Sequence, residues 1–92
     1  MTEEQRKAID NIMDWFDFDK VHKVMKTLKW SWVGTADNIP SMGEIRERAR
    51  QLLIEAIEIN SNVSTGGFYV TYNPYDNYLQ LQFIVADWDT TI

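Results

Sequence analysis

The sequence predicts an α+β fold in two layers: a small antiparallel sheet built on a C-terminal β-hairpin, with about three helices packed against it. Three observations predict it. Apolar residues recur at helical spacing in three segments ahead of residue 60, and two of these open on a capping-box pattern. Residues 66–85 instead alternate apolar and polar side chains on either side of a polar, proline-bearing stretch. The helical segments are grouped ahead of the hairpin, an order that suits an α+β domain rather than a parallel sheet with alternating strands and helices.

The first helix is expected over residues 3–15. Thr2 can accept from the amide of Gln5 while the Gln5 side chain reaches back, and Glu3 and Glu4 suit the positive end of the helix dipole. Ile9, Ile12, Met13 and Phe16 form a narrow apolar face, which places this helix on the outside of the domain. Asp17-Phe18-Asp19 then interrupts the pattern and offers two N-caps for a second helix over residues 19–28. Val21, Val24, Met25 and Leu28 make its buried stripe, and Lys20, Lys23 and Lys26 occupy the remainder.

Lys29-Trp30-Ser31-Trp32-Val33-Gly34 alternates aromatic and polar residues, so a short third strand is expected near Trp30–Val33. A two-stranded hairpin alone is marginal in water, which makes a third strand or a helical cover necessary. Pro40-Ser41-Met42-Gly43-Glu44 is the clearest helix start in the chain, with Ser41 as cap and Glu44 completing the box. Ile45, Ala49, Leu52, Leu53, Ala56 and Ile57 then share one stripe, giving a third helix to about Ile59 that packs on the inner face of the hairpin.

The hairpin has arms Phe68–Tyr72 and Tyr78–Val85, with Asn73-Pro74-Tyr75-Asp76-Asn77 between them. Pro74 presets φ for the corner, and the Asn and Asp residues can bond nearby backbone groups. A loop from Pro74 to Asn77 pairs Tyr72 with Leu79, Val70 with Leu81 and Phe68 with Phe83. Each apolar residue then meets another, a match that a one-residue slip would destroy. Gly66-Gly67 gives the chain a tight approach to the first arm, after a lead-in through Ser64 and Thr65.

The 92 residues form one domain, 1–92, with 45% apolar content typical of a globular chain. The absence of cysteine excludes disulfides, thiolate catalysis and zinc ribbons. No run approaches the roughly 18 apolar residues of a membrane span, and Met1-Thr2-Glu3-Glu4-Gln5 lacks the basic and apolar regions of a signal peptide. A cytoplasmic location without a membrane partner is therefore expected. The net charge of −5 argues against generic nucleic-acid binding, where cations make the phosphate contacts. That charge is uneven, because Lys20, Lys23, Lys26 and Lys29 gather four positive charges within ten residues, with His22 among them.

Phe18-Asp19-Lys20-Val21-His22-Lys23-Val24-Met25, then Trp30-x-Trp32, a proline-capped helix, Thr65-Gly66-Gly67-Phe68 and a Leu-x-Leu-x-Phe strand occur in that order. This combination, over residues 16–88, resembles small proteins encoded by bacteriophages and prophages. The resemblance implies a bacterial host cytoplasm and action by binding a host protein, and it carries over no catalytic residue.

The residues themselves offer no catalytic set. Without cysteine, nucleophilic catalysis needs Ser or Thr with a base, and His22 sits among lysines with no orienting acid in the sequence. Asp14, Asp17 and Asp19 cluster, and Asp87 and Asp89 flank Trp88, but neither group has the spacing of a calcium loop. Gly66-Gly67 lacks the residues of a phosphate-binding loop. No metal, cofactor or enzymatic activity is expected.

The outward face of the hairpin is the candidate site. Tyr69, Tyr78, Gln80, Gln82, Ile84 and Trp88 alternate with the core set, and together with Thr71 they have the composition of a protein-binding surface. A cover formed by the N-terminal helix or the tail would account for the same residues, as would a homodimer through this face or an open hairpin edge. The expected function is a non-enzymatic interaction module, a phage or prophage accessory or anti-defence protein that binds a host or phage protein. The alternative is a nucleic-acid or small nucleotide-ligand binder using the basic helix, Lys20, Lys23 and Lys26, with the tryptophans.

Overall fold

The computed structural model describes residues 1–28 and 39–84. In chain order these form α1 (Glu3–Trp15), α2 (Phe18–Leu28), α3 (Met42–Ile59), β1 (Val63–Thr65), β2 (Phe68–Asn73) and β3 (Tyr78–Phe83). The strands make one antiparallel sheet in the order β1-β2-β3, and the helices pack against one face of it. This is the α+β architecture that the sequence predicts. The strand expected near Trp30–Val33 lies outside the described residues, as do Lys29, Val85, Trp88 with the rest of the tail, and the side chain of Leu28.

Local chemistry sets the helix ends. At α1 the Gln5 N–H donates to Thr2 Oγ1 at 3.1 Å and the Thr2 N–H donates to Gln5 Oε1 at 2.8 Å. At α3 the Glu44 N–H donates to Ser41 Oγ and the Ser41 N–H to Glu44 Oε1, both at 3.2 Å. Each box satisfies two backbone donors that the helix itself leaves without acceptors. Of the two aspartates available to α2, Asp17 is the cap: the Lys20 N–H donates to its Oδ1 at 3.0 Å, and the helix starts at Phe18, one residue before the expectation. α3 ends where Asn60 adopts left-handed backbone, φ 54° and ψ 41°, a conformation asparagine tolerates.

The junction of α1 and α2 is closed from α3. Phe16 and Phe18 meet edge to face with centroids 4.9 Å apart, and the Arg46 guanidinium carbon lies 4.9 Å from the Phe18 ring centroid. Arg46 Nη2 also donates to the Met13 carbonyl at 3.3 Å. That carbonyl is in the last turn of α1, where acceptors lack helical partners and a cation faces the negative end of the dipole.

β2 and β3 pair in the predicted register, Phe68 with Phe83, Val70 with Leu81 and Tyr72 with Leu79. Phe68, Val70, Tyr72, Leu81 and Phe83 are buried beneath Ile9, Met25, Ile45 and Leu53 of the helical layer, while Leu79 is half-buried. The loop residues act as the sequence predicts. Asn73 Oδ1 accepts from the Tyr75 N–H at 3.0 Å and Asp76 Oδ1 from the Tyr78 N–H at 3.1 Å, while Asn77 takes φ 55°.

One element differs from the expectation. The stretch read as a lead-in is a strand, Val63–Thr65, paired to β2 through Val63–Val70 and Thr65–Phe68. Gly66 and Gly67 both have positive φ, 57° and 85°, and so form the two-residue reversal whose twist matches paired strands. Asn62 prolongs this pairing, its Oδ1 accepting the Tyr72 N–H at 3.0 Å.

Candidate functional site

The alternation that buries Phe68, Val70 and Tyr72 turns Tyr69 and Thr71 to the opposite face, with Tyr78, Gln80, Gln82 and Ile84 beside them on and after β3. The register sets Tyr69 opposite Gln82 and Thr71 opposite Gln80. Tyr78 is 49% and Ile84 47% exposed, Gln80 is exposed, and Tyr69, Thr71 and Gln82 are half-buried. The Ile84 N–H donates to the Gly67 carbonyl at 2.7 Å, which continues the ladder past β3 and holds Ile84 on this face. Two polar contacts order the surface: Tyr78 Oη donates to Gln80 Oε1 at 3.0 Å, and Asn62 Nδ2 donates to Tyr69 Oη at 3.2 Å. None of these residues is charged. Five of the six sequence-derived candidates therefore lie on one surface, and the sixth, Trp88, lies outside the described residues.

α1 does not cover this face. It lies on the core side, where Gln5 Nε2 donates to Tyr72 Oη at 3.2 Å and Ile12 stands beside Leu79 and Leu81. Asn77 Nδ2 donates to the Glu4 carbonyl at 3.1 Å, tying the start of α1 to the hairpin loop.

α1 and β3 together bound an open groove of ≈ 350 Å³, lined by Ile12, Trp15, Phe16, Asp17, Leu79, Gln80 and Leu81. Trp15 is 82% exposed at its rim. Sequence reasoning gives Trp15 no role; the available signal is that it falls just off the apolar stripe of Ile9, Ile12, Met13 and Phe16.

Lys20, Lys23 and Lys26 are exposed along α2, and none pairs with a carboxylate among the described residues. An ion pair between Arg50 and Asp10 at 3.8 Å links α3 to α1 through two solvent-exposed side chains and adds little stability. The lysines sit in the helical layer, because α2 packs on α3 and α3 on the sheet. His22 is half-buried on α2. No group of three or more His, Cys, Asp or Glu among the described residues is placed to hold a metal ion. No buried side-chain nitrogen or oxygen there lacks a hydrogen-bond partner. No described helix is long and apolar enough to cross a membrane.

These features define a small two-layer α+β protein with helices on one sheet face and an uncharged surface of tyrosine, amide and aliphatic side chains on the other. No protein-family model matches the chain, and no curated protein or solved structure is significantly similar to it.

Proposed function

We propose that the protein is a non-enzymatic interaction module that docks on a host protein through the outward face of its sheet, in the phage or prophage setting implied by the resemblance. The observation that supports this reading is the face itself. Tyr69, Tyr78 and Ile84 present aromatic and aliphatic area away from every described helix, with Gln80 and Gln82 as adaptable hydrogen-bonding neighbours. The face carries no charge, so a partner surface can be desolvated against it without burying an unpaired ion. Its action is occupation of the partner surface, with the acidic remainder of the chain, net charge −5, disfavouring nucleic acid at the same place.

The test is capture of partners from a bacterial lysate by the tagged chain and by the Tyr69→Asp, Ile84→Asp double variant. The expected result is one stoichiometric protein retained by the parent at low and high salt and lost by the variant, with the helical circular dichroism of the two chains alike. Binding retained by the folded variant refutes this face. Recovery of nucleic acid or a nucleotide that is released at high salt instead transfers the function to Lys20, Lys23 and Lys26.

A further inference from the structure

We infer that Asn62 is a positioning residue of the outward face, holding the Tyr69 hydroxyl so that its proton is offered away from the sheet, and that the docked surface supplies an uncharged acceptor there, a backbone or amide carbonyl. This role rests on the reading of that face as the docking surface, and it names the partner chemistry at one point of it.

The polarity of Tyr69 follows from a backbone amide. The Tyr72 N–H lies past the end of the β1–β2 pairing, whose last pair is Val63 with Val70, and donates to Asn62 Oδ1 at 3.0 Å. A backbone N–H can only donate, so it selects the carboxamide oxygen over the nitrogen. With the oxygen so placed, Nδ2 is the atom that meets Tyr69 Oη, at 3.2 Å. A carboxamide nitrogen is a donor only, so Tyr69 accepts in that bond. The phenol proton is left to point elsewhere, and the hydroxyl makes no second hydrogen bond among the described residues.

The other tyrosine of the face differs. Tyr78 Oη bonds Gln80 Oε1 at 3.0 Å, and no described backbone group fixes that amide. Turning the amide over exchanges its donor for its acceptor, so Tyr78 adapts to either kind of partner group. Tyr69 has one polarity, and it therefore discriminates.

Charge selects among acceptors. The register places Tyr69 between Ser64 of β1 and Gln82 of β3, both neutral. A carboxylate docked on the hydroxyl would lose water among uncharged neighbours while approaching a chain of net charge −5. A carbonyl meets neither cost. The Asn62–Tyr69 bond is itself solvent-exposed, so a partner can reach the hydroxyl.

A double-mutant cycle of Asn62→Ala and Tyr69→Phe tests this, read by NMR on the free chain and by affinity for the protein that the parent retains from the bacterial lysate. In the free chain, Asn62→Ala should mobilise the Tyr69 ring in aromatic carbon relaxation and speed amide exchange at Tyr72, whereas Tyr69→Phe leaves the Tyr72 amide protected. In the complex, Tyr69→Phe should weaken binding roughly three- to tenfold, the scale of one hydrogen bond. Asn62→Ala should weaken it comparably when made alone, and by less than about twofold further when Tyr69→Phe is already present. A residue that only prolonged the sheet would lower affinity equally in both backgrounds. Equal losses in both backgrounds, a Tyr69 ring as rigid in Asn62→Ala as in the parent, or a Tyr72 amide that does not respond each overturn the role of Asn62. Retention of the same protein by the Tyr69→Asp, Ile84→Asp double variant refutes the docking face itself and the donor role with it. Loss of that protein by the double variant, with full affinity kept by Tyr69→Phe, refutes the donor role alone and leaves the face standing.

Discussion

The two faces of the β2–β3 hairpin come from the same twelve residues and differ in what the alternation selects. On the inner face Phe68, Val70 and Phe83 are wholly buried, and Phe68 and Phe83 meet edge to face at 5.2 Å. On the outer face Tyr69, Thr71 and Gln82 are half-buried, and Gln80 and Tyr78 are exposed. The inner face thus carries stability and register, because a slip by one residue would exchange the two sets. On this contrast the outer face should change composition at little cost to the fold. The largest expected effect tests this contrast across one peptide bond. Phe68→Ala leaves a cavity beneath the helices and should cost about 3–5 kcal/mol. Tyr69→Ala, on the next residue, should cost less than about 1 kcal/mol. Urea denaturation of the two variants compares them directly, and equal losses would mean that the outer face is structural.

Gly67 sharpens the comparison by acting on neither face. Its φ of 85° is one an L side chain adopts only under strain, and with Gly66 it reverses the chain between β1 and β2. Gly67→Ala should cost about 1–2 kcal/mol and loosen β1 while leaving the β2–β3 register intact. Hydrogen exchange reads that difference: faster exchange at Val70, whose residue pairs with Val63, against unchanged exchange at Gln82 and Gln80. Loss of protection on both sides of β2 would show that the two hairpins form as one unit.

The same contrast explains which parts of the fold were legible in the sequence. The β2–β3 register was legible because both arms carry apolar residues at period two, and a single loop length aligns all of them. The three helices were legible from stripes and caps, with α1 and α3 starting on the predicted boxes. β1 was not, because three residues are too few for a period to show. Its signal lay in the chemistry of Gly66-Gly67 between Val63–Thr65 and Phe68–Val70, a two-residue reversal flanked by strand formers. Of the site, the outward set on β2 and β3 followed directly from alternation. The exposure of Trp15 and the reach of Arg46 to the Met13 carbonyl did not, because each depends on how separate elements are packed.

Tyr72 marks where the inner face stops being purely apolar. Its ring is 5% exposed, but its hydroxyl accepts from Gln5 Nε2 at 3.2 Å and donates to Asn77 Oδ1 at 3.3 Å. The residue therefore belongs to the core by area and to the loop and α1 by hydrogen bonding. Asn77 in turn donates to the Glu4 carbonyl, so one buried-to-surface network joins the start of α1 to the hairpin loop. Tyr72→Phe keeps the ring and its packing and removes both hydroxyl contacts. Gln5 and Asn77 lie close enough to solvent to find water, so the loss should be about 1 kcal/mol rather than the larger penalty of stranded buried groups. It should also appear locally, as faster exchange in the first turns of α1 with β2 and β3 unchanged at Val70 and Gln82. A loss comparable to that of Phe68→Ala would show that the hydroxyl network, rather than the ring, sets the boundary of the inner face.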